Sequence, residues 1–159
     1  MNFADFLRSR TPARPPVTGR PLVIQCGAEK KPGVHPVGEL YLGPFWSTYR
    51  AARAARKTPI SFPVYVLSAK YGLVGVDTPI ASYDALLAER PRAANEVAVA
   101  DIVPILRNQR AVVGDAIDMI GSALYADALT RAGFTVNRLE TRGIGYMRGA
   151  LRKHLLSSF

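Results

Sequence analysis

Short apolar runs alternate with longer stretches of helical pattern along this chain. Four runs, rich in β-branched and aromatic residues, predict strands at 22–25, 63–67, 116–120 and 134–139. Alanine-rich or amphipathic stretches predict helices at 45–57, 123–132 and 146–156. Strands that alternate with helices indicate βαβ units. The pattern therefore predicts an α/β fold, in which one domain forms a mostly parallel open sheet of about four to five strands with helices on both faces.

Two further stretches are less regular. Between the second and third predicted strands, residues 84–89 are predicted to begin a helix, and a longer helix is predicted at 92–110. Pro104 is expected to kink or divide this longer helix, because proline removes a backbone donor. At the other end, residues 2–10 predict a short amphipathic helix within a Pro/Arg-rich arm, 1–21, that precedes the α/β domain at 22–159.

The charge balance of the chain indicates what kind of partner it binds. The 159 residues carry 21 Lys and Arg against 12 Asp and Glu, a net charge of +9. Such an excess indicates a polyanionic partner, either nucleic acid (DNA in first place) or a nucleotide. Arg50, Arg53 and Arg56 share one side of a predicted helix, where a solvated face is favoured over a nucleic-acid stripe.

Several classes of protein are disfavoured by composition. The single cysteine, Cys26, excludes an intrachain disulfide, so a reducing cytoplasm is the expected compartment. No apolar run approaches the roughly 20 residues of a membrane span. His35 and His154 belong to no spaced Cys/His set, so the sequence predicts no metal site and no cofactor.

The predicted topology brings three loops together. Parallel strands joined by right-handed crossovers end at the same edge of the sheet, where open α/β sheets bind ligands. The loops after the first three strands contain 26–33, 68–72 and Gly121-Ser122. We therefore expect a crevice at the carboxyl edge of the sheet.

The loop after the second strand carries most of the candidate chemistry. Lys70 could meet a phosphate or a carboxylate, Tyr71 could stack on a base, and Gly72 would let a ligand approach the backbone. Ser68 would hydrogen-bond the ligand. A Lys-Tyr pair at the surface is the alternative interpretation.

The other two loops supply binding candidates. In the first, Lys30 would hold phosphate and Tyr41 is a second candidate for stacking on a base. Cys26 is assigned to the binding site, although a small buried apolar residue is favoured over a nucleophile. In the third, Gly121 and Ser122 are the predicted binding residues, with Ser122 also a predicted helix N-cap.

Tyr83 is a further predicted binding residue, and Asp84, which follows it directly, is the candidate acid. A carboxylate here could cap a helix, or it could stabilise an oxocarbenium-like sugar or activate water during N-glycosidic cleavage. Glu39, close to Tyr41, is the other candidate acid. Spacing alone leaves the choice open.

Five segments of the chain resemble motifs of the YaaA-like bacterial and phage proteins, which are related to the YaaA peroxide-stress proteins. In chain order they are CGAEK at 26–30, ELYLG at 39–43, LSAKYGLV at 67–74, PIASYD at 79–84 and GIG at 143–145. Ser82 stands where the family pattern has proline, and Glu39 where it has aspartate. The resemblance implies an α/β fold and DNA binding.

The sequence thus supports three hypotheses. The first is a metal-free enzyme that processes bases in nucleic acid or nucleotides, of the DNA glycosylase kind, with Asp84 and Lys70 as catalytic residues. The second is a DNA-binding protein without catalysis. The third is an enzyme of small-molecule nucleotides whose basic charge is incidental. The oligomeric state is left open.

Overall fold

A computed structural model describes residues 19–157. The predicted helix at 2–10 and residues 1–18 of the predicted arm lie outside this range. The strands of the described chain are β1 Leu22–Gln25, β2 Val34–Pro36, β3 Val64–Ser68, β4 Gly72–Gly75, β5 Pro79–Ala81, β6 Leu86–Ala88, β7 Glu96–Ala98, β8 Ala116–Ile120 and β9 Thr135–Arg138. The helices are α1 Val37–Leu40, α2 Pro44–Ala55, α3 Val99–Val113, α4 Ala123–Arg131 and α5 Ile144–Ser157.

The central sheet has the order β4-β3-β1-β8-β9. Strands β3, β1, β8 and β9 are parallel, and β4 joins the β3 edge in antiparallel orientation. The central strand β1 is apolar and buried at Leu22, Val23 and Ile24, as expected for a strand covered on both faces. The predicted α/β fold with a mostly parallel open sheet is confirmed.

The helices flank the sheet in two packed pairs. Helix α2 packs on α5, where the Arg148 Nε donates to Thr48 Oγ1 at 3.0 Å. Helix α3 packs on α4. The core formed between the helices and the sheet includes the buried side chains of Trp46, Leu106 and Leu129. No helix in residues 19–157 is long and apolar enough to cross a membrane.

The helix predicted from residue 84 is wrong. Residues Leu86–Ala88 form β6, which pairs in parallel with β7. The helical preference of the Ala-Leu-Leu-Ala stretch is overridden by this pairing and by burial of Leu87. Because β7 occupies residues Glu96–Ala98, the next helix begins at Val99 rather than at residue 92. This helix contains Pro104 and continues to Val113 without division.

The sequence patterns also miss strand β4. In place of the expected open loop, the chain reverses after β3 and pairs back along it, from Ser68↔Gly72 to Tyr65↔Gly75. Gly72 permits this reversal with a φ of 76°. A second short antiparallel pair, β2 with β5, brings the segment after residue 79 alongside the loop after β1. These pairings position the candidate site.

Candidate functional site at the carboxyl edge of the sheet

The three predicted loops lie at the same edge. The Cys26 backbone N–H donates to Leu67 O at 3.1 Å, which joins the end of β1 to the end of β3. The Ser122 N–H donates to Gln25 Oε1 at 2.7 Å, which joins the end of β8 to β1. The convergence expected from parallel topology is therefore present.

Ser68 is the centre of the first contact set. Its side chain is fully buried, and its Oγ accepts the backbone N–H groups of Lys70 and Tyr71, both at 3.1 Å. The same hydroxyl donates to Tyr83 Oη at 2.7 Å. Ser68 therefore fixes the β3–β4 turn and also links it to Tyr83, a residue on the segment that follows β5.

Tyr83 is bonded in turn to Tyr41, with the two phenol oxygens 2.6 Å apart. We call Ser68, Tyr41 and Tyr83 the hydroxyl cluster. Tyr41 is fully buried, and its ring stacks on Trp46 with centroids 5.4 Å apart. The prediction that Tyr41 stacks on a base is therefore wrong, because its ring is buried against α2. Its hydroxyl holds Tyr83 in place.

The three hydroxyl groups bond to one another. The two backbone N–H donors occupy the lone pairs of Ser68 Oγ, so its hydrogen points to Tyr83. Tyr41 is hydrogen-bonded to Tyr83 and lies within hydrogen-bonding reach of Ser68. Ser68 and Tyr41 are fully buried, whereas Tyr83 is half-buried. Tyr83 is therefore the member of the cluster that is partly open to a ligand.

Lys30 lies over this cluster. Its Nζ is 4.3 Å from the centroid of the Tyr83 ring and 5.7 Å from that of Tyr41, and it donates to Ala28 O at 3.3 Å. Partial burial lowers the pKa of Lys30, and the negative charges that Cys26 and Asp84 can carry oppose this. Contacts with aromatic faces and one carbonyl leave ammonium hydrogens for an anionic ligand.

Both phenols of the cluster favour their protonated form. Burial raises the pKa of Tyr41 and of Tyr83 well above the ordinary tyrosine value. The phenols thus remain hydrogen-bond donors across the physiological range. Together with the Lys30 ammonium they form a site rich in donors, which suits phosphate or carboxylate oxygens.

Cys26 lies beneath the site rather than in it. Its side chain is 3% exposed, and its Sγ is 3.6 Å from Tyr125 Oη, which accepts the Leu87 N–H at 3.2 Å. This environment agrees with a packed, inert thiol. Tyr125 is a residue that sequence reasoning missed, since its position on the predicted helix 123–132 suggested only core.

Tyr71 and Lys70 form the outer rim. The half-buried Tyr71 ring meets Tyr83 edge to face, with centroids 5.5 Å apart. Lys70 is exposed, and its Nζ is 5.2 Å from the Tyr71 centroid. A partly exposed aromatic ring beside an exposed ammonium can accept a base and a phosphate.

Asp84 stands at the rim on the side of Lys30. It is exposed, and its Oδ1 accepts the Asn95 side-chain N–H at 3.1 Å. It is near enough to Lys30 to oppose the lowering of the lysine pKa. Asn95 was missed because it fell inside a predicted helix; it comes to Asp84 through the β6–β7 pairing, in which Leu86 N–H donates to Asn95 O.

Gly72 has a structural role in the turn. A Cβ there would lie 2.6 Å from Gln109 Oε1 of α3, so the absence of a side chain lets Gln109 approach closely. Gln109 also accepts the Leu73 N–H at 2.8 Å. Gln109 therefore supports the turn from the side of α3.

Gly121 and Ser122 lie against the Gln25 side chain at the end of β1. Gly121 is buried, and its carbonyl accepts Arg138 NH2 at 2.7 Å. Ser122 is exposed and occupies the N-cap position of α4, yet its hydroxyl makes no cap hydrogen bond. The Ser122 carbonyl accepts the Ala126 N–H of α4 at 3.0 Å. Both residues thus border the edge and bond to Gln25, Arg138 and α4.

The remaining candidates are held by local contacts. Glu39 is exposed and lies 3.8 Å from Arg53, and a ring nitrogen of His35 is 2.8 Å from Pro32 O. The side chain of Arg50 donates to Tyr41 O at 2.7 Å, and that of Arg56 donates to Leu155 O. The predicted arginine face is thus only partly solvated, because Arg50 and Arg56 bind backbone carbonyls. Residues 19–157 contain no group of three His, Cys, Asp or Glu side chains able to hold a metal ion.

Fold and site define a single-domain α/β protein with a donor-rich cluster at the carboxyl edge of an open sheet. The chain belongs to DUF6884, a family of unknown function, whose family model matches residues 22–151. Comparison with curated proteins and with solved structures gave no match.

Proposed function

We propose that this protein processes bases in nucleic acid, by cleavage of an N-glycosidic bond in DNA. The observation that carries the proposal is the meeting, at one edge, of the Lys30–hydroxyl cluster, the Tyr71 ring and the Asp84 carboxylate. Each offers one of the contacts that an extruded nucleotide needs: oxygen binding, base stacking and charge stabilisation. The resemblance to the YaaA-like proteins and the net charge of +9 support the same partner.

In this proposal the donors hold the backbone of the nucleotide. Lys30 and the Tyr83 hydroxyl bind phosphate or sugar oxygens, and Lys70 binds a neighbouring phosphate from the rim. The target base stacks on the exposed part of Tyr71, since stacking on an aromatic ring contributes about 1–3 kcal/mol per base. Ser68 acts through Tyr83, which it orients.

Asp84 supplies the chemistry. As the bond from the sugar C1′ to the base nitrogen breaks, the carboxylate stabilises the positive charge that develops on the sugar. It also takes a proton from water, whose oxygen bonds to C1′. The base leaves with the electron pair of the broken bond, and its nitrogen then takes up this proton through solvent. The Asn95 N–H holds one carboxylate oxygen and leaves the other for this step.

The test is release of free base. Normal and modified DNA are incubated with the protein, and released base is measured by mass spectrometry. Asp84→Asn keeps the size of the side chain and its contact with Asn95, and we expect it to lower the rate by about 100-fold or more. Asp101→Asn removes an exposed acid from α3 and serves as the matched control, with an unchanged rate.

Two outcomes would contradict the proposal. Equal rates of base release by the wild type and by Asp84→Asn would show that Asp84 is not catalytic. The absence of base release from DNA, RNA and nucleotides would contradict the proposal that the protein is an enzyme of this kind. Salt-dependent DNA binding without release would then favour a non-catalytic DNA-binding protein, whereas turnover of nucleotides without DNA affinity at low salt would favour a small-molecule enzyme.

A further inference from the structure

A groove of about 600 Å³ lies along α5, apart from the hydroxyl cluster. It is bounded by α5 and by residues 139–142, which follow β9. Because β9 is parallel to β1, the groove opens at the same carboxyl edge as the candidate site. Strands β1 and β9 are separated only by β8, so their ends are roughly 10 Å apart. A chain-like ligand at the site could therefore reach the groove.

The mouth of the groove carries a supported aromatic ring. The Tyr146 side chain is 59% exposed, and the Arg142 guanidinium carbon is 4.0 Å from its ring centroid. Glu140 holds that guanidinium through bonds from Nε and NH2, both 3.0 Å long. Glu140 also accepts the backbone N–H groups of Thr141 and Arg142. Arg142 thus covers one side of the ring and leaves the rest open to a ligand.

The groove also carries unbalanced positive charge. The charge of Glu140 is matched by Arg142, while Lys153 lines the groove without an acidic partner among residues 19–157. Lys153 is seven positions after Tyr146, on the same side of the helix and about 10 Å along its axis. A stacking surface and an ammonium at that separation suit the base and backbone of a polynucleotide.

We propose that this groove binds a single-stranded segment of nucleic acid, with one unpaired base on Tyr146 and a phosphate at Lys153. The inference rests on the proposed function and makes its substrate a polynucleotide rather than a free nucleotide. A single strand fits because the faces of its bases are available, whereas a duplex hides them in the stack. The groove volume lies within the usual range for ligand sites, about 300–1,000 Å³.

The experiment measures binding and needs no turnover. A labelled single-stranded oligonucleotide of about 12 nucleotides, within the usual site sizes, is titrated by fluorescence anisotropy at several salt concentrations. We expect Tyr146→Ala to weaken binding about 10-fold and Tyr146→Phe to retain it, because the phenyl ring still stacks. Lys153→Ala should weaken binding and lower the salt slope by about 1. Arg107→Ala, which removes an exposed charge from α3, is the matched control and should change neither quantity.

Three results would overturn the inference. These are wild-type affinity of Tyr146→Ala, equal effects of Lys153→Ala and Arg107→Ala, and tighter binding of a duplex than of the single strand. A loss of self-association in Tyr146→Ala without loss of oligonucleotide binding would assign the groove to a second copy of the chain and would also overturn it. Base release from DNA together with any of these results would overturn the inference about the groove and leave the proposed function standing.

Discussion

The Oγ of Ser68 donates a hydrogen bond to the Oη of Tyr83, and the two atoms are 2.7 Å apart although 15 positions separate the residues. This bond joins the β3–β4 turn to the segment after β5, which carries Tyr83 and Asp84. Since Ser68 also accepts two backbone N–H groups, one buried hydroxyl sets the positions of both sides of the site.

Replacing Ser68 by alanine should therefore destabilise the protein. The backbone N–H groups of Lys70 and Tyr71 would lose the buried Ser68 Oγ as their acceptor. The Tyr83 Oη would lose the hydrogen bond that Ser68 donates to it. An unsatisfied buried polar group costs about 1–3 kcal/mol, and we expect a loss of this size in the free energy of unfolding, measured by urea denaturation. Ser122→Ala, at an exposed serine without a cap bond, should lie within about 0.5 kcal/mol of wild type. Equal effects of the two variants would contradict the role of Ser68.

Gly72→Ala should be among the most damaging substitutions in the turn. The residue has a φ of 76°, and an added Cβ would lie 2.6 Å from Gln109 Oε1. Backbone strain of about 1–3 kcal/mol adds to the cost of displacing Gln109 from Leu73. Gly114→Ala separates backbone strain from the displacement of Gln109. Gly114 also has a positive φ, 101°, but a Cβ added there would meet no atom within 4 Å. Thermal and urea unfolding should show a larger loss for Gly72→Ala; equal losses would mean that Gln109 moves away freely.

Lys30→Met should raise stability and weaken ligand binding. Burial lowers the pKa of Lys30 in the folded state, so keeping the ammonium charged at neutral pH costs folding free energy. That cost is absent above the ordinary lysine value of 10.5, grows as pH falls from 10.5 to the lowered pKa, and is complete below it. The stability advantage of Lys30→Met should accordingly shrink as pH rises toward 10.5. Urea denaturation of both proteins at several pH values up to 10.5 measures this advantage, and Lys57→Met, at an exposed lysine, is the control. A gain in the free energy of unfolding that does not depend on pH would contradict the argument.

The Arg142–Tyr146 contact should persist into acid. The hydrogen bonds from Arg142 hold the pKa of Glu140 at about 2, below the ordinary 4.5. The contribution of this ion pair is present above the ordinary value and is lost as pH falls through about 2. The NMR shifts of the Tyr146 ring protons should follow that transition, and Glu140→Gln should abolish it. A midpoint near 4.5 in the wild type would mean that Arg142 does not hold the carboxylate.

The sequence predicts the sheet and its carboxyl edge because burial on both faces leaves a strong apolar signal in β1, β3 and β8. It also predicts that Ser68 and Lys30 lie at one edge, since parallel topology brings their loops together. It cannot predict that Ser68 bonds Tyr83 or that Tyr41 turns its ring into the core, because these depend on side-chain packing between distant segments.

The misses share one physical cause. Strands β4, β6 and β7 are three or four residues long, so their periodicity is too brief to outweigh local propensity. Their pairing brings Asn95 to Asp84 and Gln109 to the turn at Gly72. The spacing of these residues along the sequence indicates neither contact. Groups that support a site from other elements are therefore the hardest part to infer from sequence.

The pairing of Ser68 with Gly72 leaves only three residues to reverse the chain, among them Lys70 and Tyr71. A turn this short, bonded to Ser68 and buttressed by Gln109, has little conformational freedom to lose when a ligand arrives. Binding at this rim should therefore carry a small entropic penalty for ordering the backbone, so that affinity depends on the contacts themselves.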